Sequence, residues 1–108
     1  MAPASRTTIS KAQFERIAKA LADPRRFALL ETIAGWEQYP CSQLCEEFPV
    51  GKATISHHFK ELIRAGLVEA EREGQRINYS VRRDVLEAYT TALQTRLIPR
   101  QPTSSSAS

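Results

Sequence analysis

VGKATISHHFKELIRAG, residues 50–66, has the spacing of a helix lying half in and half out of a core. Read as a helix over 52–65, it puts Ile55, Phe59, Leu62 and Ile63 at i, i+4, i+7 and i+8, the apolar stripe of an amphipathic helix. Lys52, Thr54, Ser56, His57 and Lys60 fall mainly on the other side, with no acid until Glu61. A short, polar, cationic face of this kind suits phosphate groups and base edges. Gly51 suits the turn before the helix, and Gly66 can take the left-handed conformation that ends it.

On either side of this helix the chain supplies what a nucleic-acid reader needs. Upstream, 41–48 reads as a short helix with Cys41, Leu44, Cys45 and Phe48 on one side, and Pro49 and Val50 turn the chain into the next helix. Two helices joined by so short a turn, the second polar along its leading face, form a helix-turn-helix pattern. Downstream, 67–72 and 77–81 are strand-like, the second alternating Ile77, Tyr79 and Val81 with Asn78 and Ser80. Glu73-Gly74-Gln75-Arg76 between them gives a β-hairpin with glycine in its loop. Arg72 and Arg76 flank the tip, so a hairpin beside the polar helix offers guanidinium groups to the sugar-phosphate backbone, as a wing over 72–77.

Two helices come earlier. Ser10 reads as an N-cap whose capping box is completed by Gln13, opening a helix to about residue 22 with Phe14, Ile17, Ala18 and Leu21 on one face. Asp23-Pro24 restarts the chain as a helix over 24–34, because aspartate caps free amides and proline at the first position loses no useful hydrogen bond. Phe27, Leu30 and Ile33 are its expected inward residues, and Trp36 and Tyr39 in the connector GWEQYP are expected to be partly buried lids. A last helix, 83–97, has the broad apolar face Val85, Leu86, Tyr89, Ala92, Leu93 and Leu97, which one small domain cannot easily cover. It is expected to pack with the first helix as half of a dimer contact. The fold class is mainly α with a β-hairpin wing, in the order ααααββα. Residues 1–9 are expected to form a flexible arm, 10–97 the domain, and the Pro/Ser-rich 98–108 a disordered tail.

Composition narrows the function classes. A chain of 108 residues, 42% hydrophobic, holds one domain and one modest core, which argues against a large cofactor-dependent enzyme. The net charge of +3 is mild but unevenly placed: residues 1–50 carry six Lys/Arg and six Asp/Glu, residues 51–108 nine and six. The whole excess therefore accompanies the polar helix and wing, and points to a polyanion. No run approaches the roughly 18 apolar residues of a membrane span, and MAPASRTTISK has no apolar stretch fit for a signal peptide. A cytoplasmic protein without membrane contact is expected, with its two cysteines as thiols.

With these elements in order, the sequence resembles the ArsR/SmtB family of winged-helix repressors. The resemblance rests on ALADPRRFALLETI (20–33), TISHHFKELIRAGLV (54–68) and EREGQRINYSV (71–81), and covers about residues 14–93. It implies a homodimer on a palindromic double-stranded DNA operator, commonly repressing its own operon until an inducer binds. Carried over by position, Lys52, Thr54, Ser56 and His57 sit where that family meets the major groove, Arg76 where its wing meets phosphate or minor groove, and His58 where the helix is supported or backbone is touched. Gly51-Lys52-Ala53 departs from the family's usual Ser-Gln-Pro or Ser-Gln-Ser. Lysine cannot copy glutamine's bidentate contact with adenine but can donate to guanine O6 and N7, so the operator is expected to differ.

Cys41 and Cys45 have two readings. The resemblance places a Cys-Val-Cys run on this helix in arsenic and cadmium sensors, but here Pro40 and Ser42 stand where those two cysteines belong. Cys41 and Cys45 take positions that face the core, so packing is one reading. The other is a thiol sensor of metalloid, soft metal or oxidant: at i and i+4 their Cβ atoms lie about 6 Å apart, close enough for a soft ion but beyond the roughly 3.5–4.5 Å of a relaxed disulfide. His57 and His58 point about 100° apart on a helix, which does not suit a shared metal. The family's zinc site between the terminal helices is absent, since 83–97 has no histidine and only Asp84 and Glu87 as acids. An enzyme using a cysteine with His57 lacks an evident oxyanion element. A winged-helix protein-interaction module without DNA binding is the rival reading, and Lys52, Lys60, Arg72 and Arg76 argue against it.

Overall fold

The computed structural model describes residues 7–98; most of the expected arm and tail fall on 1–6 and 99–108, outside the described residues. The elements are α1 (Lys11–Leu21), α2 (Pro24–Ala34), β1 (Tyr39–Pro40), α3 (Cys41–Glu47), α4 (Lys52–Arg64), β2 (Val68–Glu73), β3 (Arg76–Val81) and α5 (Arg83–Leu97). Five helices and a hairpin appear in the expected order, with β1 added. A strand of two residues has no periodicity to betray it, and Pro40 is tolerated because β1 is an edge strand.

The helix boundaries follow from local chemistry. Ser10 Oγ accepts the Gln13 amide at 3.0 Å, and Asp23 Oδ1 accepts the amides of Arg25 and Arg26 at 2.9 and 3.3 Å. The second half of the expected capping box is not made. Gln13 Nε2 instead donates to the Ala65 carbonyl at 3.1 Å, tying α1 to the end of α4. Gly66, at φ 84°, closes α4 with its amide on the Ile63 carbonyl (2.9 Å) and the Leu67 amide on Leu62 (3.0 Å), a Schellman ending. A Cβ at residue 66 would stand 2.5 Å from Gln13 Nε2. Gly66→Ala is therefore expected to lower stability by about 1–3 kcal/mol, through left-handed strain and the displaced glutamine; urea denaturation measures it.

Strand order is β1-β3-β2, all antiparallel, with Tyr39 opposite Tyr79 and Ala70 opposite Tyr79 on the other side. Side chains alternate across a sheet, so Val68, Ala70, Arg72, Ile77, Tyr79 and Val81 share the face turned to the helices. Glu69, Glu71, Glu73, Arg76, Asn78 and Ser80 share the outer face. There Gln38 Nε2 donates to Glu71 at 2.6 Å and Arg82 pairs with Glu69 at 3.6 Å.

Ile17, Leu29, Ile33, Leu44, Ile55, Phe59, Leu62 and Leu67 are the fully buried centre, drawn from α1 to α4 and the start of β2. Three expectations are corrected. Phe27 is 44% exposed, because the buried stripe of α2 is Leu29, Leu30 and Ile33, about 100° round the helix from it. Arg26 turns inward instead, with Nη1 on the Ala20 carbonyl at 3.4 Å and Nη2 3.7 Å from Asp23. Ile63, at the margin of the α4 stripe, is 39% exposed. Trp36 is exposed rather than a lid, while Tyr39 is buried and donates from Oη to Glu47 at 2.6 Å, which pushes its pKa up to about 12.

The two terminal helices meet: the Phe14 and Tyr89 rings lie 5.0 Å apart, and the Arg96 guanidinium sits 4.4 Å over Phe14. The last residues of the expected arm are held. Thr7 Oγ1 donates to Asp84 at 2.8 Å, and Ile9 packs against the core. Arg82 grips the same carboxylate with two bonds of 3.1 and 3.0 Å, holding Asp84 well below the usual carboxylate range, with Thr7 adding to the effect.

Candidate nucleic-acid interface

What fixes α4 is its inner side. Ile55, Phe59 and Leu62 are fully buried. The Phe59 ring lies flat on Tyr79 of β3, with centroids 4.0 Å apart and planes 6° from parallel. This stack locks helix and wing into one body, so polar groups on both keep a constant relation. Tyr79 was legible from the sequence as an inward residue, but its partner was not, since alternation gives a face and not a contact.

On the other side Lys52, Thr54, His57 and Lys60 are exposed and Ser56 is half-buried. Arg72 and Arg76 are exposed beside the hairpin tip, which is a tighter turn than expected, Gly74 and Gln75 alone separating the strands. By register the two arginines point to opposite faces, so they straddle the tip. None of Lys52, Lys60, Arg72 and Arg76 enters an ion pair among the described residues.

His58 does not belong to this face. It is 8% exposed, and neither ring nitrogen has a hydrogen-bond partner. The reason is angular: on α4 it falls about 60° from Ile55 and about 40° from Leu62, inside the buried arc. Its ring is 6.0 Å from that of His57, which points outward. Burial pushes the His58 pKa below 6.5, with Arg26, His57 and Arg25 acting in the same direction and Asp23 against them. An imidazole with a depressed folded pKa takes up protons more readily once unfolded. Stability is therefore expected to be complete above pH 6.5 and to decline as pH falls below it. His58→Gln should flatten that limb in denaturation curves taken between about pH 7 and 5.

The start of α3, the start of α4 and the wing tip enclose a cavity of about 520 Å³ lined by Cys41, Ser42, Cys45, Lys52, Gln75 and Arg76, with Pro40 and Ile77. Both thiols are reduced, Cys41 buried and Cys45 half-buried. Burial pushes the Cys41 thiol up, and the neighbouring Cys45 adds to this. Burial likewise takes Tyr79 up to about 12, with Cys41 beside it. The cysteines thus sit next to two of the exposed cations, Lys52 and Arg76, a proximity that sequence spacing could not reveal. Among the described residues no group of three or more His, Cys, Asp or Glu side chains could hold a metal ion. A soft ion at Cys41 and Cys45 would have those two thiolates as its only protein ligands there.

Comparison with known proteins accounts for this arrangement. Residues 21–71 match the model of a helix-turn-helix domain. The transcriptional repressor SdpR of Bacillus subtilis (strain 168) is 35% identical over 69 residues, which is 64% of this chain and 76% of that protein. An ArsR-like transcriptional regulator from Rhodococcus sp. RHA1 superposes with a TM-score of 0.71 at 26% identity, covering 79% of each chain. The chain belongs to the ArsR family. Its architecture is the winged helix-turn-helix, and like the family it is a DNA-binding transcriptional regulator. A further ArsR-like solution structure, a possible ArsR-family regulator from Mycobacterium bovis described as a homodimeric winged helix-turn-helix domain, matches with a TM-score of 0.61 at 26% identity over 83% of this chain and 88% of that one. In ArsR-family terms α3 and α4 are the helix-turn-helix and β2–β3 the wing. No helix among the described residues is long and apolar enough to cross a membrane.

Proposed function

We propose that this ArsR-family protein is an autoregulatory repressor that works in the cytoplasm as a homodimer on a palindromic operator. Lys52, Thr54, Ser56, His57 and Lys60 enter the major groove, and Arg72 and Arg76 meet the flanking backbone or minor groove. The observation that carries this is the set of four exposed cations on α4 and the wing, none spent on an ion pair among the described residues. Each released counterion steepens salt dependence. An interaction module would have no use for such a surface. The dimer is supported by Leu97 and Ile98, exposed at 71% and 69% beyond the α1–α5 contact, and by the homodimeric relative. Two copies joined through α1 and α5 would cover these side chains and repeat α4 about a two-fold axis.

A second reading concerns release. The shared cavity favours thiol oxidation as the signal, since Cys41 and Cys45 line it together with Lys52 and Arg76. Oxidation by hydrogen peroxide removes two electrons and two protons from the thiols, forms the S–S bond and breaks the O–O bond to leave two waters. Helical i, i+4 Cβ atoms stand about 6 Å apart, so the bridge requires the first turn of α3 to unwind beside Lys52. The same experiment tests both readings: titration of the reduced protein onto its own promoter fragment at about 50 and 200 mM salt, repeated after peroxide and after arsenite, beside Cys41→Ser/Cys45→Ser. Tight, salt-sensitive binding lost on oxidation only when both cysteines are present is the expected result. Equal binding after either treatment would leave the cysteines as packing residues, and no binding at all would return the interaction module.

A further inference from the structure

The cavity of about 520 Å³ where the starts of α3 and α4 meet the wing tip is of a size that takes small molecules up to a short peptide. Two thiols belong to its walls, and they differ in what can reach them. Cys45 is half-buried, whereas Cys41, one turn earlier on α3, is more than nine-tenths buried. Burial also pushes the Cys41 thiol up, so little of it is thiolate, the form that attacks sulfur. Cys45 has the access that thiol–disulfide exchange requires. Lys52 lines the same cavity, and its positive charge is close enough to act on the Cys41 thiol, against the effect of burial. That ammonium has no ion pair among the described residues, and no acid lines the cavity. The nearest acid on the inner turn of α3, Glu47, accepts from Tyr39 and Gln43. A half-buried thiol therefore opens into a space whose charge is positive.

We propose that Cys45 is a site of mixed-disulfide formation with a low-molecular-weight disulfide whose halves carry carboxylates. The Cys45 thiolate attacks one sulfur of that disulfide and a new S–S bond forms to Cys45 Sγ. The old S–S bond breaks, and the other half leaves as a thiolate that takes up the proton Cys45 lost. Cys45 is oxidised and the departing half reduced, so no further oxidant enters. Lys52 draws in a carboxylate of the incoming half, and a cationic disulfide meets repulsion there. Cys41 is poorly placed to displace the adduct. Helical i, i+4 Cβ atoms stand about 6 Å apart, against the roughly 3.5–4.5 Å of a relaxed disulfide, so that second exchange needs α3 to unwind. The mixed disulfide therefore persists. This deepens the thiol-release reading by naming the class of oxidant, and for any effect on DNA it rests on that reading, since the adduct sets carboxylates beside Lys52.

The test incubates the reduced full chain with oxidised glutathione, whose halves are anionic, and in parallel with cystamine, whose halves are cationic, and follows intact mass. One glutathione per chain is expected, with fragment-ion spectra placing it on Cys45 of the wild-type protein. Cys41→Ser should take the same adduct and Cys45→Ala none. The ratio of glutathione to cystamine rates, divided by that ratio for the urea-unfolded chain, should exceed about three and fall at least about threefold in Lys52→Ala. An adduct on Cys41, no adduct on the folded chain, or a ratio unchanged in Lys52→Ala overturns the proposal. Operator titration of the purified adduct separates the two claims. Full affinity with Cys45 modified keeps the site and removes thiol release; release by hydrogen peroxide in a chain that forms no adduct keeps thiol release and removes the site.

Discussion

Phe59→Ala should lower the free energy of unfolding by about 3–5 kcal/mol, the range for deleting a fully buried aromatic. Two losses combine in that figure. The ring is wholly buried at the centre of the α4 stripe, and its removal leaves a cavity that β3 and α4 cannot both close. It also deletes the flat stack on Tyr79, the contact that holds helix and wing together. Against a total of about 5–15 kcal/mol for a domain, the variant should be marginal. Urea denaturation followed by circular dichroism measures the change. Phe59→Leu keeps most of the volume but not the ring, and should fall between the two. A loss below about 1 kcal/mol in Phe59→Ala would mean that the site collapses freely, contrary to the packing described.

Lys52→Ala should weaken operator binding by about 1–3 kcal/mol, roughly five- to 150-fold, if the ammonium donates to a base edge. Stability should be nearly untouched, since Lys52 is exposed and makes no ion pair among the described residues. Arg76→Ala makes an instructive contrast. A phosphate contact should weaken all DNA sequences alike and reduce the salt slope by about one, whereas a base contact relaxes discrimination at one position. Anisotropy titrations on the operator and on a scrambled duplex, at several salt concentrations, distinguish the two. Wild-type affinity in both Lys52→Ala and Ser56→Ala would remove the leading turn of α4 from the groove.

Much of this was legible in the sequence because the chain marks its own joints. Ser10, Asp23-Pro24 and the Ala65-Gly66-Leu67 ending set helix limits by local hydrogen bonding, which needs no tertiary knowledge. The alternation through Ile77, Tyr79 and Val81 likewise gave the inner face of β3. What escaped were features decided by contact between distant segments. β1 exists because Tyr39 finds Tyr79, not because two residues prefer extension. For His58 the sequence left open helix support or a backbone contact, and its helical angle, between Ile55 and Leu62, decides for the buried side. In α2 a preference for residue type over helical angle turned Phe27 inward, where the packing instead leaves it exposed and draws Arg26 in. The meeting of Cys41 and Cys45 with Lys52 and Arg76 joins three separate elements, and no spacing rule reaches that far.

The outer face of the hairpin has a consequence for how the protein sits on its operator. Glu69, Glu71 and Glu73 recur every second residue along β2, and among the described residues the bases that meet them are Arg76 at the tip and Arg82, which pairs with Glu69 at the far end. A duplex approaching from that side would press phosphates against a picket of carboxylates, and like charges at close range repel. In the proposed complex the wing would therefore have an obverse and a reverse, taking the double helix tip-first or from the α4 side rather than flat on the back. In the proposed dimer, polarity of this kind would orient each half before any base is read. Wrong landings are discarded at the cost of electrostatics alone, and the search for the operator becomes shorter.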